Sequence, residues 1–212
     1  MKVDSKRFKN DIKYDLAIPP MGLDFYRMTP KQSEEFYKWF ISIIDKRMNY
    51  FRNRCALDSN ISKLKLDYSA ESLKLVWRWF LGIARIEETP KDLLKQMEDG
   101  AKIFGESYIN REQFTPVTSF IMRDIGIYIG QSYILNHPQL YWHYYIKPKN
   151  DINAKQPVLG GFYYNDNNIE GSVNINPMNL VEGAAANMFY KKQNELDLYN
   201  YYIKYERWIP KV

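Results

Sequence analysis

Thr115–Asn136 reads TPVTSFIMRDIGIYIGQSYILN, and between Ile121 and Leu135 its only strongly polar side chains are Arg123, Asp124 and Gln131. Thr115-Pro116 sets a capping hydroxyl before a proline whose missing N–H costs nothing in a first turn, so a helix is predicted to begin there. Ile121, Ile125, Tyr128 and Ser132 fall near one face and Met122, Ile129 and Tyr133 near another. Apolar side chains thus surround most of the circumference, which marks a central helix. Gly126 and Gly130 stand one turn apart and extend a narrow face with Ser119 and Arg123. Two glycines inside a helix cost about 1 kcal/mol each against alanine, a loss that close packing or a ligand has to offset.

Downstream, His137-Pro138 ends the helix because the residue before proline resists the helical region. Leu140–Lys147, Pro157–Tyr164 and Ile169–Ile175 read as strands, the last two joined as a hairpin over Asn165-Asp166-Asn167-Asn168, residues that tolerate left-handed turns. Asn176-Pro177 starts another helix, with small residues from Gly183 to Ala186, and the tail Leu196–Trp208 reads as helix with strand pairing as the alternative. Upstream, Thr29-Pro30 opens a helix to about Ala56 whose stripe is Phe36, Phe40, Ile44, Met48, Phe51 and Cys55. Gln32 and Asp92 stand where they complete or imitate capping boxes with Thr29 and Thr89. A second helix, capped by Ser69, carries Leu73, Trp77, Phe80 and Ala84, with Leu75, Trp79 and Ile86 widening its face. A third runs from Thr89 to about Gly105 with Leu94, Met97, Ala101 and Phe104 inward.

The expected fold is α+β in one domain spanning 1–212. An extended amino-terminal segment (1–28) leads into a mainly helical layer (29–136), then a small antiparallel sheet (137–176) and a mainly helical end (177–212). No repeat, low-complexity tract or linker interrupts the 212 residues. The first twenty residues alternate charge with single apolar side chains, unlike a signal peptide, and no run approaches the roughly 18 apolar residues of a membrane span. With a single cysteine, Cys55, no internal disulfide can form, so the cytoplasm is the default location. Net charge is +5, with the basic surplus in the amino-terminal third. Lys6, Arg7, Arg47, Arg52 and Arg54 there offer the pattern for an acidic or nucleic-acid partner, against the plainer reading of a solvated surface.

Several chemistries find no support. The two histidines, His137 and His143, lie in no metal-binding pattern, so no metal or cofactor is expected. Cys55 falls on an apolar stripe and reads as an inert buried thiol. There is no GxSxG, P-loop or GxGxxG, and Gly160-Gly161 lacks the third glycine and adjoining helix of a phosphate loop. Glu87-Glu88 and Glu98-Asp99 are sequence neighbours that point apart on a helix, poor geometry for a carboxylate dyad. Asp124 and Gln131 do share a stripe. Arg123 and Asp124 are expected first as a structural ion pair, because few acids stay buried unpaired, and second as part of a site.

The order IGIYIGQSYILNHPQLYWHYY (Ile125–Tyr145), QPVLGGF (Gln156–Phe162) and NPMNLV (Asn176–Val181) resembles a pattern in uncharacterised bacterial proteins, some associated with polymorphic-toxin immunity genes. The resemblance covers the carboxy-terminal half. In that pattern a Glu often follows the second glycine. Here the position is Gln131, which cannot titrate, so an acid–base role does not carry over.

The preferred expectation is a non-enzymatic protein that binds a macromolecular partner, an immunity or accessory factor in the resemblance's terms. Eighteen tyrosines favour recognition, and the candidate anchors are Tyr141, Tyr144, Tyr163, Tyr164, Tyr202 and Trp208. The competing expectation is a small-ligand or enzymatic pocket between the glycine helix and the strands, built from Arg123, Asp124, Gln131, His143 and Asn176.

Overall fold

The computed structural model describes residues 13–105, 109–166 and 169–210. Lys6, Arg7, the turn residues Asn167 and Asn168 and the inward placement expected of the Phe104 side chain lie outside the described residues. The fold is α+β: α1 (Pro30–Ser59), α2 (Ala70–Ile83), β1 (Ile86–Glu88), α3 (Lys91–Phe104), β2 (Glu112–Phe114), α4 (Pro116–Asn136), β3 (Tyr141–His143), β4 (Val158–Asp166), β5 (Ile169–Ile175), α5 (Pro177–Ala186) and α6 (Asp197–Glu206).

Local chemistry fixes the helix ends. Thr29 and Gln32 form a reciprocal capping box, and Asn60, in the left-handed region at φ 51°, ends α1 three residues later than Ala56. Ser69 caps α2, Thr115 caps α4 and Asn176 caps α5, each side chain accepting from a first-turn N–H. Thr89 does not cap α3. Its hydroxyl donates to the Asn110 carbonyl at 2.7 Å and its N–H to that of Arg111 at 2.9 Å, so it belongs to the strand end and α3 starts after Pro90.

β4 lies between β3 and β5 in an antiparallel sheet, and β1 pairs with β2 in a second, two-stranded one that the sequence reading did not anticipate. β3 is shorter than the expected Leu140–Lys147. His143 faces Val158, the first residue of β4, and the next residue back along the partner is Pro157, which has no N–H to continue the ladder. The tail is helical as α6, and beyond it the Trp208 carbonyl accepts from the Tyr163 N–H at 2.7 Å, beside β4.

α4 sits at the centre, with Ile121, Ile125, Tyr128, Ile129 and Tyr133 buried among side chains of α1, α2, β4, α5 and α6 in one contiguous core. The glycines explain how it fits. A Cβ on Gly126 would meet the Met178 backbone of α5 at 3.0 Å, and one on Gly130 would penetrate the Trp142 indole of β3. From Tyr14 to Met28 the chain runs back along α1 without helix or strand, apart from a turn closed by the Met28 N–H on the Asp24 carbonyl at 3.0 Å.

Candidate functional site

Arg123 and Asp124 do not pair with each other. Successive helical residues point about 100° apart, and Asp124 turns to α1, where Arg47 Nε donates to its two oxygens at 2.9 and 2.8 Å and Nη2 to Oδ2 at 2.6 Å. The Tyr14 hydroxyl adds a bond to Oδ2 at 2.7 Å. Arg47 is 4% exposed and Asp124 0%, so the pair lies inside the protein and Arg47 is withdrawn from any nucleic-acid surface. Burial pushes the Asp124 carboxyl above its ordinary range against the pull of Arg47 and Tyr14, and it raises the Tyr14 phenol strongly, with the Asp124 charge adding to the rise. Arg47 also donates to the Asp15 carbonyl. This cluster fastens the amino-terminal segment to α1 and α4.

Arg123 takes the other side of α4. Its Nη2 donates to the Ala17 carbonyl, and the guanidinium lies 4.7 Å from the Phe120 ring centroid and 5.6 Å from that of Trp39. Burial lowers its pKa, with Asp124 opposing the shift, and Nε is sealed from solvent with no hydrogen-bond partner. Among the described residues no carboxylate pairs with it.

Arg123 lines a cleft of about 490 Å³. Six phenylalanines, Phe25, Phe36, Phe40, Phe114, Phe120 and Phe189, supply most of the apolar wall, with Leu23, Met122, Pro157 and Met178. The polar lining is sparse: Arg123, Glu182, Ser119, Gln156, Asn176 and Asn179. The amides are largely spoken for, since Asn176 Nδ2 donates to Gln156 Oε1 at 3.0 Å, Gln156 Nε2 to the Ile152 carbonyl at 2.8 Å, and Asn179 Nδ2 to Asn153 Oδ1 at 2.9 Å. Glu182 reaches solvent within the concavity yet is crowded by protein, and that desolvation raises its carboxyl pKa. Ser119, Phe114 and Phe189 also border a shallower depression of about 1010 Å³ beside β2.

Of the five residues expected to form a pocket, the cleft therefore gathers Arg123 and Asn176. Asp124 is committed to Arg47. Gln131 accepts from Trp142 Nε1 at 3.2 Å and serves to seat that indole against Gly130. His143 faces Asn174 at 2.8 Å beside Gly160, away from the cleft. Among the proposed anchors, Tyr141 (55%) and Tyr163 (41%) are exposed, whereas Tyr202, 1% exposed and stacked on Tyr133 at 4.2 Å, is core. Tyr144 packs on Tyr37, and Tyr164 on Trp208. Cys55 is buried and its thiol is pushed up to about 12 by desolvation, which leaves it inert. Arg54 pairs with Asp58, and Arg52 lies over the Tyr68 ring.

The cleft walls were hidden in the sequence because Phe36 and Phe40 lie on the apolar stripe of α1 and read as core alone. A signal did exist for Arg47: it stands three residues after Ile44 and four before Phe51, a charge on the apolar stripe. Among the described residues no group of three or more His, Cys, Asp or Glu could hold a metal, and no helix is long and apolar enough to cross a membrane. No protein-family model matches the chain, and no match is found among curated proteins or solved structures.

Proposed function

We propose that this protein is a non-enzymatic binding protein whose cleft between the amino-terminal segment, α1, α4 and α5 receives a small ligand with an apolar body. The observation that carries the reading is the cleft itself: about 490 Å³, walled by six phenylalanines and only thinly polar. Volume and lining of that kind suit a small organic molecule. Among the described residues no hydrogen-bonded nucleophile–base pair faces the space, so binding rather than turnover fits the side chains present.

The test uses N-phenyl-1-naphthylamine, a neutral apolar dye that fluoresces on leaving water. Saturable binding at one site is expected, and Ser119→Trp should abolish it. Ser119 is exposed and lines the cleft, so the indole fills the space without disturbing the core. Unchanged melting with dye binding lost supports the reading; equal binding by wild type and variant refutes it.

Tyr141 and Tyr163, both exposed on the three-stranded sheet, favour a second reading: a macromolecular partner, as an immunity or accessory factor would have. Here co-purification from the native host should recover a partner that Tyr141→Ala/Tyr163→Ala loses. Recovery of the free chain alone at low and moderate salt counts against it.

A further inference from the structure

We infer, building on the cleft reading, that the ligand is a monocarboxylate with an apolar body, its head group held by Arg123 and its body lying among the phenylalanines. The first step is charge. A guanidinium taken out of water needs a counter-charge, and proteins rarely leave one without it. Asp124, its chain neighbour, is consumed by three donor atoms from Arg47 and Tyr14. Glu182, a carboxylate in the cleft lining, makes no ion pair with Arg123, and its raised pKa answers to burial alone. Among the described residues, then, Arg123 is the cleft's one cation and makes no ion pair.

Geometry gives the second step. The guanidinium lies over the rings of Phe120 and Trp39, and the Ala17 carbonyl takes Nη2. No described residue accepts from Nη1, and Nε is a buried donor left empty. A carboxylate entering from the cleft accepts from Nη1 and, on the same edge of the guanidinium, from Nη2 alongside the Ala17 carbonyl, while Nε–H points from the opposite edge. The planar two-oxygen head matches the planar fork. At the guanidinium itself one unit of negative charge meets one unit of positive charge. A phosphate dianion would leave an excess charge in an apolar cavity that also contains Glu182.

The experiment compares decanoate, 1-decanol, decyl phosphate and decylammonium by calorimetry on the full chain at neutral pH. Decanoate is expected to bind at least tenfold tighter than decanol, with decyl phosphate weaker than decanoate and decylammonium weakest. Arg123→Met should erase the preference for decanoate while decanol binding persists. Equal affinity for decanoate and decanol in the wild type overturns the head-group assignment and leaves the apolar cleft standing; binding of none of the four overturns both. The wild-type comparison decides the matter even if Arg123→Met fails to fold, and in that event Arg123→Lys, which keeps the charge and loses the fork, should retain a reduced preference.

Discussion

Asp124 shows how much one side chain can be asked to hold. It neutralises Arg47, accepts from Tyr14 and lies fully buried, so Asp124→Asn removes the buried counter-charge and leaves the guanidinium only the exposed Asp15 carboxylate, 3.4 Å from Nη1. Breaking a buried pair from one side typically costs about 3–5 kcal/mol, and urea denaturation should show a loss of that size. Arg47→Met with Asp124→Leu together should recover much of it, because an apolar replacement of both partners restores the balance. Glu182 behaves differently. Its carboxyl is raised from 4.5, so the stability tied to its protonated form is full below that pH and is lost as the pH rises through the raised value. Glu182→Gln cannot ionise. The variant and wild type should therefore melt together in acid, with the variant the more stable at neutral pH. That Asp124 would sit in a buried ion pair was legible in the sequence; its partner and the placing of Glu182 were not. The choice between Arg123 and Arg47 as partner of Asp124 depends on which face of α4 meets α1, a tertiary fact.

At the scale of elements, the glycines of α4 and α2 make a contrast that separates packing from propensity. A Cβ on Gly82 meets nothing within 4 Å, so Gly82→Ala should stabilise by roughly 0.5–1 kcal/mol through the chain entropy it removes. The same change at Gly130 drives a methyl into Trp142, whose ring is wedged against Phe40 and tied to Gln131. Overpacking of this sort costs about 1–3 kcal/mol and outweighs the propensity gain, so Gly130→Ala should lower the melting temperature and alter tryptophan emission. The starts of α1, α4 and α5 were legible because Thr-Pro and Asn-Pro carry their own capping chemistry, whereas Thr89 spends its hydroxyl on the Asn110 carbonyl across from it, and the α4 pattern marked the centre correctly. β1 and β2 were not legible: three-residue strands are too short to show a period, and their pairing joins residues on either side of α3. The truncation of β3 also depended on a residue outside it, Pro157.

Taken whole, the molecule is tied together by a segment with little regular structure of its own. From Tyr14, locked into the Arg47–Asp124 pair, the chain passes Ala17 on Arg123 and then supplies Leu23 and Phe25 to the cleft wall. Anchor and wall are thus one strand of chain, with the Arg123 guanidinium between them. Tyr14→Ala removes a buried ring that stacks edge-on against Tyr50 at 5.2 Å and lies 5.0 Å from the Arg47 guanidinium, and the loss should be about 3–5 kcal/mol, as for other buried aromatics. Tyr14 itself does not line the cleft, so a direct effect on a ligand is absent. If the segment transmits its anchoring, the variant should nonetheless bind N-phenyl-1-naphthylamine several-fold more weakly while still folded, because Phe25 is held less firmly against Phe36. Fluorescence titration below the variant's melting range reads this directly. Reduced stability with unchanged dye affinity would show that the turn from Asp24 to Met28 and the Lys155 bond to the Tyr26 carbonyl, at 3.0 Å, hold the cleft wall without help from the buried charges.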